Sequence, residues 1–96
     1  MQNLTDIRAA LVSHKQRLFS QYGLSLLAIF GSYVRNQQTD TSDVDILVEF
    51  EKPVGVEFID LAIELERILH TKVDLVSKKG LKPKYFQSIS QELNYV

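Results

Sequence analysis

The run DVDILVEF, Asp43 to Phe50, constrains the fold more than any other stretch of this chain. Val44, Ile46, Val48 and Phe50 alternate there with Asp43, Asp45, Leu47 and Glu49. A period of two is the mark of a strand with one apolar face. Its first residues carry two carboxylates, although aspartate is disfavoured in strands and an unpaired buried one costs on the order of several kcal/mol. A chain that packs its core on this strand must also find a partner for Asp43 and Asp45.

The flanking sequence supplies the rest of a small domain. Leu4, Ile7, Leu11, Leu18 and Tyr22 recur at helical spacing, with Asn3 or Thr5 as N-cap and Gly23 as terminator. Leu24 to Phe30 (LSLLAIF) is a continuous apolar run ended by Gly31, which fits a buried strand. A polar connection follows, with one helical turn expected in Ser32 to Asn36. Beyond Pro53 and Gly55, Phe58, Ile59, Ala62, Ile63, Leu65 and Leu69 predict a helix up to about His70. Lys72 to Val76 reads as a third strand, and Pro83 opens a last helix through KYFQSISQEL. The expected fold is α+β: a small mixed sheet of three or so strands flanked by helices, in the order helix, strand, turn, strand, helix, strand, helix. So few helices should leave one sheet face partly bare.

The 96 residues, 45% of them hydrophobic, suffice for one core and not two, so a single domain is expected over 1–96. A net charge of −1 provides no field to hold nucleic acid or an anionic membrane, so direct nucleic-acid binding is not expected and any anion must be held locally. With no cysteine, disulfides and thiolate metal sites are excluded. The N-terminal residues lack a signal peptide's apolar core, and no window approaches the roughly 18 apolar residues of a membrane helix. These readings predict a cytoplasmic protein.

Residues two apart on a strand point the same way, with Cα atoms about 6.6 Å apart, so Asp43 and Asp45 can converge on one hard cation. Asp74, between Val73 and Leu75, would complete a three-carboxylate cluster if its strand is a neighbour. Such oxygen-rich sites suit Mg²⁺, and a pair of ions about 3.5–4 Å apart would serve in-line phosphoryl displacement. The ordinary alternative has Asp43 capping a turn, Asp45 paired with Arg or Lys, and Asp74 bonded to Lys72 or backbone amides. Gly31-Ser32, directly after a strand, weighs against it. Glycine lets a phosphate approach the backbone, and exposed amides with the Ser32 hydroxyl can bond its oxygens. Arg35, one turn on, could add charge to the same anion or form a surface ion pair.

Taken together, Gly31-Ser32-x-x-Arg35, Ser42-Asp43-x-Asp45 with Ile46-Leu47-Val48, and Val73-Asp74-Leu75-Val76 resemble the signature of the DNA polymerase beta-like nucleotidyltransferases, and more narrowly their minimal members, the MNT proteins. Val34 and Asn36 depart from the alanine and glycine usual in that pattern; Asn tolerates a left-handed backbone, which would preserve the turn. The resemblance implies Mg²⁺-dependent transfer of AMP from ATP to a hydroxyl. Asp43 and Asp45 would bind two ions and Asp74 the catalytic one, with Gly31, Ser32, Ser42 and Arg35 on the nucleotide. Only 22 residues follow Asp74, so the acceptor site is expected outside the chain. Minimal members pair with HEPN-domain toxins, which implies a protein adenylyltransferase acting as antitoxin on a toxin tyrosine.

Two other functions compete with this one. One is an antitoxin that neutralises by occlusion with a vestigial nucleotide site; the other is a small-molecule, antibiotic-type nucleotidyltransferase subunit. Remaining residues of note have plainer expected roles. His14 and His70 are structural or solvent-facing, Tyr33 packs, Phe50, Phe58 and Phe86 belong to the core, and Lys78, Lys79, Lys82 and Lys84 line a solvated loop.

Overall fold

The structure, a computed structural model, describes residues 2–96; Met1, the first residue of the expected 1–96 domain, lies outside them. Helix α1 (Leu4–Tyr22) starts at a reciprocal capping box: the Asn3 side chain accepts from the Asp6 amide, and Asp6 accepts from the Asn3 amide. It stops at Gly23, whose φ of 63° is a left-handed cap that L-residues resist. Strands β1 (Leu24–Phe30) and β2 (Val44–Phe50) pair antiparallel, and helix α2 (Glu57–Leu69) crosses over to β3 (Val73–Ser77), which lies parallel to β2. A 3₁₀ turn (Lys78–Gly80), helix α3 (Pro83–Ile89) and a second 3₁₀ turn (Ser90–Glu92) lead to β4 (Asn94–Tyr95) on the free edge of β1. The sheet order is β3-β2-β1-β4, so the aspartate-bearing strand is central.

The alternation read from β2 decides which face meets which helix. Val44, Ile46 and Val48 join Leu27 and Ile29 of β1 against Ile7, Leu11 and Leu18 of α1 and Leu61, Leu65 and Leu69 of α2. All but Leu27 and Leu69, at 1%, are wholly buried.

Three expectations change in detail. The opposite sheet face is not bare: Phe30, Leu47 and Ile89 are buried together, with Leu26, Val76, Leu81, Phe86 and Leu93 packed on them. The segment after β3 folds back across that face, because Phe86 and Ile89 share one side of α3 at a three-residue spacing. Helix α3 ends at Ile89, short of the expected Leu93. The residues beyond it form a fourth strand, whose two residues are too few to carry a readable period.

Candidate functional site

The polar connection after β1 is built as expected and holds the site's backbone. Gly31 has φ 83° and opens a helical turn in which its carbonyl accepts from the Val34 and Arg35 amides at 3.1 and 3.2 Å. Asn36 closes the turn with φ 56°, the left-handed conformation its side chain tolerates. Tyr33 is 4% exposed and packs in the main core, the role the sequence assigns it.

Strand register then sets the carboxylates. Phe30 lies opposite Asp45 across β1 and β2, and Asp45 lies opposite Asp74 across β2 and β3. Asp45 therefore sits between the Gly31 bend and Asp74. Its approach to the bend is so close that a Cβ built on Gly31 would fall 1.9 Å from Asp45 Oδ2. Glycine is required there twice over, by the positive φ and by the carboxylate in the space a side chain would take.

Charge at this junction is under-compensated. The Asp45 carboxyl is pushed up from 3.8 to about 6, first by burial, then by the charges of Asp74 and Asp43. A hydrogen bond with Asp74, to which only protonated Asp45 can donate, acts in the same direction, while Arg35 opposes it. Among the described residues no aspartate of the three takes part in an ion pair, so the ordinary alternative of Asp45 bonded to Arg or Lys is not what forms.

Asp45 and Asp74 form the close pair, with Asp43 near enough to act on Asp45 through its charge. Among the described residues no group of three or more His, Cys, Asp or Glu side chains is drawn together as a ready-made metal site. The donor set nonetheless fits a hard divalent cation: oxygen-only, anionic, and with repulsion that a cation would relieve.

The remaining predicted residues fall at varying distances from this pair. Ser32 follows Gly31 in the bend and is partly exposed. Ser42 closes the turn before Asp43, its Oγ accepting from the Thr39 amide at 2.9 Å. Arg35 forms an ion pair with Glu92, whose Oε2 is 2.8 Å from Nη1. Glu92 is the residue that sequence reasoning missed, and the signal for it was absent: it lies in a stretch read as the last turn of a helix. His14 Nδ1 meets the Ala10 carbonyl, and His70 caps α2 with φ 56°, so both are structural.

A four-stranded mixed sheet with carboxylates paired between its central strand β2 and the neighbouring edge strand β3, set against a glycine bend, is the architecture of a nucleotidyltransferase. The chain belongs to the nucleotidyltransferase domain family, whose model matches residues 11–96. Over 97 residues, all of this chain and 98% of the other, it is 41% identical to the protein adenylyltransferase MntA of Thermococcus cleftensis. Its fold is similar to a solved structure described as a candidate minimal nucleotidyltransferase: TM-score 0.82, 30% identity, 96% of this chain and 94% of that one. It is also similar to a chain of a toxin-antitoxin complex crystallised with AMP-PNP: TM-score 0.73, 26% identity, 86% of this chain and 69% of that one. None of the helices among the described residues is long and apolar enough to cross a membrane.

Proposed function

We propose that this protein transfers AMP from ATP to a hydroxyl of a partner protein, and that the partner is a HEPN-domain toxin modified on tyrosine, which makes the chain an antitoxin. The observation that carries the reading is the Asp45 and Asp74 pair, held in register against the Gly31 backbone and in no ion pair among the described residues. The adenylyltransferase relative supports the reaction, and the AMP-PNP complex supports both the nucleotide and the toxin-antitoxin setting. The partner's identity follows from the resemblance to minimal nucleotidyltransferases. The cytoplasm is the compartment proposed, in keeping with a chain that has no cysteine.

In this reaction the partner's hydroxyl oxygen forms a bond to the α-phosphorus as the bond from that phosphorus to the bridging oxygen breaks, and pyrophosphate leaves. Asp43, Asp45 and Asp74 would hold Mg²⁺. When bound, the ions supply positive charge for the triphosphate and for the attacking and leaving oxygens. The Asp74 carboxylate is exposed near the strand's start, and in this reading it accepts the hydroxyl proton. The Gly31 amide and the Ser32 hydroxyl donate to phosphate oxygens, which the missing side chain at residue 31 allows to come close.

The test is the intact mass of the partner after incubation with this protein, ATP and Mg²⁺. Addition of AMP to the partner is expected. A folded partner that neutralises normally with its mass unchanged would overturn the reading in favour of occlusion.

A further inference from the structure

The end of the chain returns to the phosphate-facing bend. β4 pairs with β1 so that Ala28 faces Tyr95 and Ile29 faces Asn94. Carried on by two residues, the same antiparallel register sets Glu92 against Gly31. Its side chain uses the position fully: Oε1 accepts from the Gly31 amide at 3.3 Å and from Arg35 Nη1 at 2.9 Å, and Oε2 accepts from the same Nη1 at 2.8 Å. One carboxylate thus takes both the backbone amide and the guanidinium that a triphosphate would use. To such donors carboxylate and phosphate oxygens are equivalent anionic acceptors, and phosphate brings the greater charge.

We propose that Glu92 is a positioning residue of the nucleotide site: its carboxylate stands in for a phosphate on Gly31 and Arg35, keeps those donors oriented, and is displaced when the triphosphate arrives. The inference rests on the nucleotide reading above. Nucleotide affinity is then set by competition with the chain's own C-terminal segment.

Two features suit Glu92 to leave without disturbing the fold. The pair is accessible, with side chains 48% exposed at Arg35 and 22% at Glu92, so solvent screens it and the contact is weak enough for a more highly charged anion to win. The tail also has anchors of its own. The Val96 amide donates to the Leu27 carbonyl at 2.9 Å, and Arg8 donates to the Asn94 side chain at 3.1 Å and the Tyr95 carbonyl at 3.2 Å. Glu92 can rotate away while β4 stays paired.

The experiment is a calorimetric titration of the full chain with AMP-PNP and Mg²⁺, run on the wild type, Glu92→Gln, Arg35→Ala and the double variant, each checked for fold by circular dichroism. The amide cannot compete as an anion, so Glu92→Gln should tighten binding about two- to fivefold, the range an exposed ion pair can withhold. Its Tm should fall slightly or stay level, because the same pair ties the tail. Without Arg35 the gain should largely vanish. Unchanged or weaker binding by Glu92→Gln, with the wild type binding normally, overturns the competition and leaves the nucleotide reading intact. A gain that persists in full without Arg35 also overturns it, since that outcome reports only the removal of a negative charge. If no variant binds AMP-PNP, the nucleotide reading fails and the inference fails with it.

Discussion

Two carboxylates of this chain meet opposite treatment. Glu64, on α2, is 7% exposed and fully provided for: the Tyr22 hydroxyl donates to its Oε1 at 2.8 Å, and Arg17 pairs with its Oε2. Burial alone would push its carboxyl up, but the hydrogen bonds from Tyr22 and Arg17 and the charges of Arg17 and Arg67 outweigh that and hold it below its usual 4.5. Asp45, half-buried at the Gly31 bend, has two acidic neighbours and stands raised to about 6. A charge the fold has satisfied belongs to the architecture; one held among like charges is what the proposed cation and nucleotide site would use.

The contrast breaks most sharply under neutralisation. If the proposed reaction holds, Asp45→Asn should cut adenylyl transfer by about 10²- to 10³-fold or more, since the proposal has this group holding the ions that meet charge in the transition state. Its Tm should hold or rise, because a repelled carboxylate is gone. The checks are single-turnover transfer to the partner and thermal melting. A variant that keeps full transfer rates would remove Asp45 from the chemistry. Mg²⁺ should raise the Tm of the wild type and not that of Asp45→Asn.

Next in size is the converse change. Glu64→Ala strands the Tyr22 hydroxyl and the Arg17 guanidinium, an expected loss of about 2–3 kcal/mol that lowers Tm by roughly 8–24 °C in a domain of this size. Below that Tm, transfer per folded molecule should remain within about threefold of wild type. If Glu64→Ala abolished transfer at temperatures where the protein is folded, the division between architectural and functional carboxylates would fail.

How much of this was legible beforehand follows from the range of each signal. The alternation in β2, the α1 stripe and the Gly31 stop are local, and they placed the elements within a residue or two. Asp43, Asp45 and Gly31-Ser32 were legible as candidates because carboxylates opening an apolar strand and a glycine ending one are both locally disfavoured without a reason. The partnership of Asp45 with Asp74 needed the parallel register of β2 and β3, which the sequence suggests only as a condition. Glu64 and Glu92 were invisible for a different reason. Tyr22 lies 42 residues from Glu64 and Arg35 lies 57 from Glu92, and the one local partner, Arg67 three residues beyond Glu64, marks no more than a surface helix pair. Exposed-looking acids on helices are the commonest residues to misread in this way.

Gly31→Ala carries the third prediction and joins the two regions. The new Cβ would collide with Asp45 Oδ2 and would force a non-glycine residue to φ 83°, for about 1–3 kcal/mol of destabilisation by strain. Transfer should fall with it, because Asp45 must move. In Gly31→Ala with Asp45→Ala the collision disappears while the backbone strain remains. Urea unfolding should therefore show part of the stability regained and none of the activity. Full recovery of stability would mean that the close approach alone, and not the left-handed backbone, demands glycine at this bend.

The smallest effect tests the comparison through its sign, in protein stripped of divalent ions. Asp45 has a folded pKa near 6, above its unfolded 3.8, so the folded state holds the extra proton between those values. The stability tied to it is present below about pH 3.8 and is lost as pH rises through 6. Glu64 runs the other way: its pKa is lowered on folding, so its contribution is present above 4.5 and is lost as pH falls through the folded value. Urea melts from pH 3.5 to 7 should then show Asp45→Asn gaining on the wild type as pH rises, with the gain levelling off above 6. Glu64→Gln should close its deficit as pH falls below 4.5. Parallel slopes for the two variants would mean that both carboxylates are compensated alike, and the Gly31 bend would lose its claim to be built around an unsatisfied charge.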